Sequence, residues 1–192
     1  MSVNWEHIPA KHRSLIKAFL DEADMSADAI KTVEYPPVYG ADIVVSCEKA
    51  KDPKNGSIYL KPTQFVLGIG CRRNTAFENI DRAIRQSLLK LQIDISDIDM
   101  IASIDVKKDE PGIKEFCDRN RIEFVTYTAD ELMAVQGEFS ASQFVREHVG
   151  VDNVCERAAV LACSRECNEA GELIYKKHKY DSVTVAAARY PD

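Results

Sequence analysis

Two kinds of apolar pattern alternate from residue 65 to about residue 127, and their order constrains the fold more than any other feature of the chain. The first kind is a short continuous run, typical of a buried strand, found at Phe65–Gly68, Met100–Ile104 and Ile122–Thr126. The second is an amphipathic helix, predicted over 77–91 because Phe77 is followed by apolar residues at spacings of 3, 4, 4 and 3. This order predicts an α/β fold with three layers and a mostly parallel sheet.

The signals beyond these runs complete the predicted layers. Pro111 suits the first position of the helix that follows the second strand, because its fixed φ is already helical. Thr128 and Glu131 form a capping box, which predicts a helix through about residue 135. Two further helices are predicted at Ala141–His148 and Val154–Cys167. Two strands are predicted at Glu172–Lys177 and Val183–Ala187. The last two strands, joined by a turn near Tyr180, predict a C-terminal antiparallel hairpin at the edge of the sheet.

The first 60 residues carry weaker signals and predict a separate segment. Helical spacing predicts a helix over 8–23, and a short apolar run predicts a strand at Asp42–Ser46. Met25–Val38 is interpreted as a connector and Lys49–Ser57 as a turn-rich loop where the chain divides. The predicted organisation is a helix and remnant α/β segment over 1–60, followed by the main domain over 61–192.

Composition and charge exclude several classes of function. The net charge of −6, from 25 basic and 31 acidic residues, disfavours nucleic acid and anionic membranes as partners. No apolar stretch approaches the roughly 20 residues of a membrane span, and the first residues are too polar for a signal peptide. The 6 cysteines contain no CxxC pair and the 4 histidines are widely spread, so we expect reduced thiols, no metal site and a cytoplasmic location.

The turn from Gly68 to Thr75 is the first candidate for a binding site. It lies between a predicted strand and a predicted helix, where backbone N–H groups can hold an anion. Gly68 and Gly70 allow close approach of a ligand, and Arg72 and Arg73 carry guanidinium groups suited to carboxylates. The alternative is a tight turn with two solvated arginines, whose helix begins at a capping box formed by Thr75 and Glu78.

The same turn does not fit the nucleotide-binding motifs. The dinucleotide fingerprint requires a third glycine where this chain has Arg73, and the Gly-Lys-Ser/Thr of a phosphate loop is absent. Cys71 lies beside two cations near a helix start, which predicts a lowered thiol pKa and a nucleophilic role. The alternative for Cys71 is a small side chain that fills the turn.

A second candidate follows the second strand, where α/β sheets bind ligands. Asp105 is positioned to activate water, Lys107 to hold a carboxylate, and Asp109 or Glu110 to act in acid–base catalysis. The alternatives are a solvated loop and, for Asp109 and Glu110, a cap for the helix that begins at Pro111.

Three further features have simple structural explanations. Ser140 or Ser142 is interpreted as a helix cap, and Glu156 as a carboxylate favoured by the start of the next helix. The run Lys176–Lys179 is typical of a solvated face. In a chain of net charge −6, that run is also suited to hold a polyanionic ligand.

Several of these motifs occur together in one known family. The sequences are Gly68-Ile69-Gly70-Cys71-Arg72-Arg73, Ser103-Ile104-Asp105-Val106-Lys107, Ser142-Gln143-Phe144-Val145 and Val183-Thr184-Val185-Ala186. In this order they resemble the CobE/CbiG C-terminal-like family of cobalamin-biosynthesis proteins, over about residues 64–189. Asn74 and Arg157 depart from the family pattern, which often has glycine and proline there, and most of the N-terminal region of a full-length CbiG is missing.

The resemblance implies a function on the anaerobic corrin-ring pathway. CbiG-type proteins are cobalt-precorrin-5A hydrolases, acting on carbon–carbon bonds: a δ-lactone is opened and acetaldehyde leaves. Carried over to this chain, the catalytic residues are Asp105, Glu110 and Cys71. The substrate-binding residues are Gly68, Gly70, Arg72, Arg73, Lys107 and Ser142.

The ligand implied by the resemblance is a corrinoid tetrapyrrole intermediate, rich in acetate and propionate groups. No separate cofactor is expected, because cobalt arrives inside the substrate macrocycle, and neighbouring cobalamin-pathway enzymes are the expected protein partners. The alternative function is a non-catalytic module that binds or carries a corrinoid intermediate.

Overall fold

The computed structural model describes residues 64–140, 151, 153–167 and 170–191, together with three short strands nearer the N-terminus. The chain divides into two compact units, Met1–Gln64 with Asp192, and Phe65–Pro191. The predicted helices over 8–23 and 141–148 lie outside the described residues.

The described part of the first unit is a parallel sheet of three short strands. The strands are β1 (Ile30–Thr32), β2 (Ile43–Val45) and β3 (Ile58–Leu60), in that spatial order. β2 coincides with the strand predicted at Asp42–Ser46. β1 lies in the segment interpreted as a connector, so that interpretation was wrong there, and β3 was not predicted.

The second unit is built on a mixed sheet of five strands in the order β6-β5-β4-β8-β7. Their bounds are β4 (Phe65–Cys71), β5 (Ile98–Ile104), β6 (Glu123–Tyr127), β7 (Glu172–Tyr180) and β8 (Val183–Arg189). β4, β5 and β6 are parallel neighbours, while β8 runs antiparallel to both β4 and β7. Four of these five strands therefore run in one direction, and the predicted C-terminal hairpin forms one edge of the sheet.

Helices cover both faces of this sheet. The helices are α1 (Phe77–Leu91), α2 (Pro111–Asn120), α3 (Ala129–Ala134) and α4 (Val154–Cys167). Alternation along β4 separates two cores: Leu67 packs with α1 and α2, whereas Val66 packs with α3 and α4. The three-layer α/β architecture predicted from the apolar pattern is confirmed.

The start of each helix shows which local signals were decisive. Pro111 is the first residue of α2, and the capping box of Thr128 and Glu131 begins α3, as predicted. The capping box predicted for Thr75 and Glu78 is wrong, because α1 follows Ala76 without a side-chain cap. The Thr75 hydroxyl instead donates to the Arg72 carbonyl at 2.7 Å.

α4 packs unusually close to the centre of the sheet. A Cβ atom at Gly68 would lie 1.7 Å from the carbonyl oxygen of Cys155, so only glycine allows this approach. Small residues on the facing side of α4, Ala158, Ala159 and Ala162, are fully buried. None of the helices in the described part of the chain has the length and apolar character that crossing a bilayer requires.

Candidate functional site

A cleft lies at the edge of the sheet where β4 and β5 end. The hairpin turn after β7 reaches the same edge, since β7 runs in the direction of β4. The N-terminus of α4 forms the fourth wall, and the cleft volume is about 410 Å³, within the range of small-molecule sites. The lining residues are Gly70, Cys71, Arg72, Ile104, Val106, Lys107, Asn153, Val154, Cys155, Lys177, Lys179, Asp181, Ser182, Val183 and Thr184.

Buried Glu110 joins the loops that follow β4 and β5. One carboxylate oxygen, Oε1, accepts the backbone N–H of Thr75 at 3.0 Å, and Oε2 accepts a hydrogen bond from Lys107 Nζ at 3.0 Å. The backbone N–H of Arg72 donates to the Ser182 carbonyl at 3.0 Å, which adds the hairpin turn to the same framework. Arg72 and Lys107 thus reach one cleft although they are far apart in sequence.

Four cations surround the cleft, in a chain whose net charge is −6. Lys107 is partly neutralised by its ion pair with Glu110. Within the described residues, no carboxylate lies within ion-pair distance of Arg72, Lys177 or Lys179. The floor is apolar and includes Ile104, Val154 and Val183. This arrangement suits a ligand with an apolar body and several carboxylates.

Glu156 is fully buried beside the cleft and holds several backbone groups. Its oxygens accept the backbone N–H of Lys177 at 2.6 Å, and the N–H and hydroxyl of Ser140, both at 2.8 Å. Burial raises the pKa of the Glu156 carboxyl, but these hydrogen bonds outweigh burial and leave its pKa below the ordinary value. Asn153 caps α4 by accepting the Glu156 N–H at 3.0 Å.

The two thiols in the cleft wall are neutral at physiological pH. Burial raises the pKa of Cys71 to about 11; the Lys107 charge lowers it and the Glu110 charge raises it. Burial likewise raises the pKa of Cys155 to about 12. The lowered pKa predicted for Cys71 is therefore wrong, because Arg72 and Arg73 extend towards solvent while the thiol is desolvated.

The structure brings together part of the predicted site. Gly70, Cys71, Arg72 and Lys107 line the cleft. The other predicted residues lie elsewhere: Gly68 faces α4, Arg73 and Asp105 are outside the cleft wall, Glu110 is behind Lys107, and Ser142 is outside the described residues. Gly68 is thus explained by packing against Cys155 rather than by contact with a ligand.

Sequence reasoning missed the contribution of the hairpin and of α4. Asp181 and Thr184 line the cleft because the antiparallel hairpin turns at this edge, and no local motif marks them. Lys177 and Lys179 belong to the basic run that the sequence did single out. Among the described residues, no group of three or more His, Cys, Asp or Glu side chains is arranged to bind a metal ion.

Known proteins are similar to this chain in both sequence and fold. The chain is 31% identical over 137 residues to the probable cobalt-precorrin-5A hydrolase of Methanocaldococcus jannaschii, covering 69% of this chain and 42% of that protein. It is 33% identical over 126 residues to the cobalt-precorrin-5A hydrolase of Salmonella typhimurium, covering 66% of this chain and 34% of that protein. The crystal structure of CobE, a protein from the cobalamin (vitamin B12) biosynthetic pathway, superposes with a TM-score of 0.63 at 25% identity, covering 66% of this chain and 90% of that chain.

Fold and cleft together define the class of this molecule, a three-layer α/β domain with a cationic cleft at the carboxyl edge of its sheet. The family described as Cobalamin synthesis G C-terminus matches residues 65–188. The chain belongs to this cobalamin-biosynthesis family, as the motifs at Gly68–Arg73 and Val183–Ala186 predicted. It spans less than half the length of the two hydrolases.

Proposed function

We propose that the domain over residues 65–191 binds the carboxylate side chains of a corrinoid intermediate and serves cobalt-precorrin-5A hydrolysis. In that reaction the δ-lactone is opened by water and a two-carbon fragment leaves as acetaldehyde. The observation that carries the proposal is the set of four cations around one apolar-floored cleft in an acidic chain. The particular substrate is inferred from the names of the two hydrolases to which this chain is similar.

The cations differ in how they would hold the ligand. Arg72 offers a planar fork that binds a carboxylate through two parallel hydrogen bonds. Lys177 and Lys179 offer mobile point charges on the opposite wall. Exposed Val106 and buried Ile104 provide apolar surface between them for the macrocycle itself.

The chemical step requires a group that activates water. Cys71 is a neutral thiol and Glu110 is engaged by Thr75 and Lys107, so neither is suited to the role. Asp105 is outside the cleft wall but remains our proposed base, because it is partly exposed and stands between Ile104 and Val106, which both line the cleft. Asp181, which lines the cleft, is a second carboxylate available for this role.

A binding or carrier module is the second candidate function. Two thirds of this chain cover 90% of CobE, so a domain of this kind exists as nearly a whole protein. A carrier would hold the intermediate and pass it to neighbouring cobalamin-pathway enzymes. For either function we propose that cobalt arrives within the substrate and that no further cofactor is needed.

We place this function in the cytoplasm. The thiols of Cys71, Cys117 and Cys155 are not joined in disulfides, which suits a reducing compartment.

The two functions are separated by one anaerobic incubation with cobalt-precorrin-5A. Acetaldehyde release together with a change in the visible spectrum supports the hydrolase. A spectral change with a measurable dissociation constant but without acetaldehyde supports the carrier. No spectral change at any concentration tested contradicts both. Asp105→Asn and Asp181→Asn, compared under the same conditions, identify which carboxylate acts on water.

A further inference from the structure

The side chains of β7 do not alternate regularly between the two faces of the sheet. The rings of Tyr175 and His178 stack at 4.1 Å with 9° between their planes. The hydroxyl groups of Tyr175 and Tyr180 lie 2.9 Å apart, and both residues pack in the core on the α1 side. In a regular strand, odd-numbered and even-numbered residues lie on opposite faces, so Tyr175 would not share a face with His178 and Tyr180.

β7 has two register shifts against β8, one between Leu173 and Tyr175 and one between Tyr175 and His178. The second, a β-bulge, explains this change of face. Tyr175 is the register partner of Ala187 and His178 is the partner of Val185, so Lys176 and Lys177 both stand opposite Ala186. Without this second extra residue, and with Tyr175 kept on the α1 side by the first shift, Lys177 and Lys179 would share the face of Tyr175 and point towards α1. With it, both lysines line the cleft.

The carboxylate of Glu156 lies at this bulge. Its Oε1 accepts the backbone N–H of Lys177 at 2.6 Å, a hydrogen bond outside the β7–β8 ladder. The same carboxylate also accepts the Ser140 hydroxyl on Oε1 and the Ser140 backbone N–H on Oε2, each at 2.8 Å. Glu156 itself is 0% exposed, so its contacts are these internal groups rather than solvent.

We propose that Glu156 is a positioning residue that holds the bulge of β7, so that Lys177 and Lys179 both face the carboxylates of the bound ligand. A buried negative charge beside an anion-binding cleft is otherwise unfavourable, because it repels the ligand. Here one anion fixes the direction of two cations. The inference rests on the proposed function, since it assigns Lys177 and Lys179 to the same carboxylate ligand.

The first test replaces Glu156 and leaves the lysines in place. Glu156→Gln substitutes an N–H donor for one acceptor oxygen, so either Lys177 or Ser140 loses its partner. We expect about tenfold weaker binding of uroporphyrin, a stable tetrapyrrole with acetate and propionate groups, measured by absorbance titration. Glu172→Gln, an exposed change at the start of the same strand, is the matched control and leaves binding unchanged.

The second test separates positioning from general support of the fold. Deletion of Lys176 removes the second extra residue and leaves the shift between Leu173 and Tyr175 in place, so Lys177 and Lys179 face the cleft by ordinary alternation from Tyr175. We expect this variant to bind uroporphyrin like the wild type, and Glu156→Gln added to it to weaken binding less than about twofold, by independence of the two sites. An equally large loss in both backgrounds overturns the inference, because it indicates a merely structural role. The comparison of the two backgrounds remains decisive even when the single Glu156→Gln chain folds poorly.

A ligand-free measurement keeps this inference distinct from the proposed function. Because the rings of Tyr175 and His178 stack, we expect Tyr175 to shield the His178 ring protons and Glu156→Gln to shift their NMR signals towards free histidine. If the wild type binds neither uroporphyrin nor cobalt-precorrin-5A, the proposed function fails while the His178 shift still tests the bulge. Unchanged His178 signals and unchanged uroporphyrin binding in Glu156→Gln contradict the role of Glu156.

Discussion

Gly68 and Gly70 stand two positions apart on β4, and each lacks a side chain for a different reason. At Gly68 a Cβ atom would overlap the backbone carbonyl of Cys155, which belongs to a helix and cannot move alone. At Gly70 it would meet the hydroxyl of Thr184 at 2.6 Å, the end of a side chain that can rotate. From the sequence both glycines were expected to face the ligand; only Gly70 lines the cleft.

We expect Gly68→Ala to lower the free energy of unfolding by about 3 kcal/mol, the upper part of the range for overpacked cores. Gly70→Ala, the matched control, should cost less than about 1 kcal/mol because Thr184 adjusts. Urea denaturation followed by circular dichroism measures both. Equal losses at the two positions would show that α4 does not pack against β4 as described.

The raised pKa of Cys71 predicts that its thiol reacts slowly as a nucleophile at neutral pH and faster as the pH rises. With a pKa of about 11, the group is protonated below that value and gains thiolate only as the pH rises through it. We expect Cys71→Ala to retain cobalt-precorrin-5A binding within about twofold and to retain any acetaldehyde release, since neither needs a thiolate. A loss of acetaldehyde release with binding intact would restore Cys71 as a nucleophile.

The neighbouring arginines provide a matched pair of variants. Arg72 lines the cleft and Arg73 does not. Arg72→Ala should weaken uroporphyrin binding about tenfold to a hundredfold, the loss of one charge-assisted pair, and Arg72→Lys should restore it partly. Arg73→Ala should leave the dissociation constant nearly unchanged. If an absorbance titration shows a larger loss of binding for Arg73→Ala than for Arg72→Ala, the ligand binds on the side of the turn away from the cleft.

At the scale of elements, long-range contacts decided what local signals left open. The apolar spacing after Phe77 predicted α1, and the capping box at Thr128 predicted the start of α3, because both signals lie within one helix. The capping box at Thr75 failed because Glu110, from another loop, accepts the Thr75 N–H. Strands of three residues such as β1 carry too few side chains for a recognisable period.

The candidate site was predictable to a similar extent. The rule that parallel strands end at one edge placed Arg72 and Lys107 in the same cleft. The contribution of Lys179 and Asp181 depends on the direction of β8 and on the bulge in β7, and neither is encoded within a short segment. Glu156 looked like an ordinary residue of a helix start, because its partners lie 16 and 21 positions away.

The link between the loops after β4 and β5 predicts a large effect of Glu110. Its pair with Lys107 is mostly buried, with side-chain exposures of 13% for Lys107 and 4% for Glu110. Glu110→Gln should cost on the order of 3 kcal/mol of unfolding free energy, because it leaves Lys107 without its counter-ion. Glu115→Gln, which breaks the exposed pair with Arg119 on the same helix, should cost less than about 1 kcal/mol. Similar urea midpoints for the two variants would contradict the bridging role.

At the scale of the molecule, the second unit has the cores of an independent domain. Both faces of its sheet are covered, and its strands from Phe65 to Arg189 pair only with one another among the described residues. We expect a fragment of residues 65–191 to unfold in a single cooperative urea transition and to bind uroporphyrin like the whole chain. A fragment that lacks a cooperative transition, at a concentration where the full chain shows one, would contradict this independence.

The reversed direction of β8 has a consequence for how such domains are joined to other proteins. Phe65 and Arg189 are register partners, so the first and last strand residues of the domain lie about one strand spacing, roughly 5 Å, apart. Both lie at the end of the sheet opposite the cleft. A domain whose two ends lie close together, opposite its cleft, can be inserted into a longer polypeptide or stand alone without blocking the opening of the cleft. Gene fusion and gene separation are therefore both compatible with this architecture.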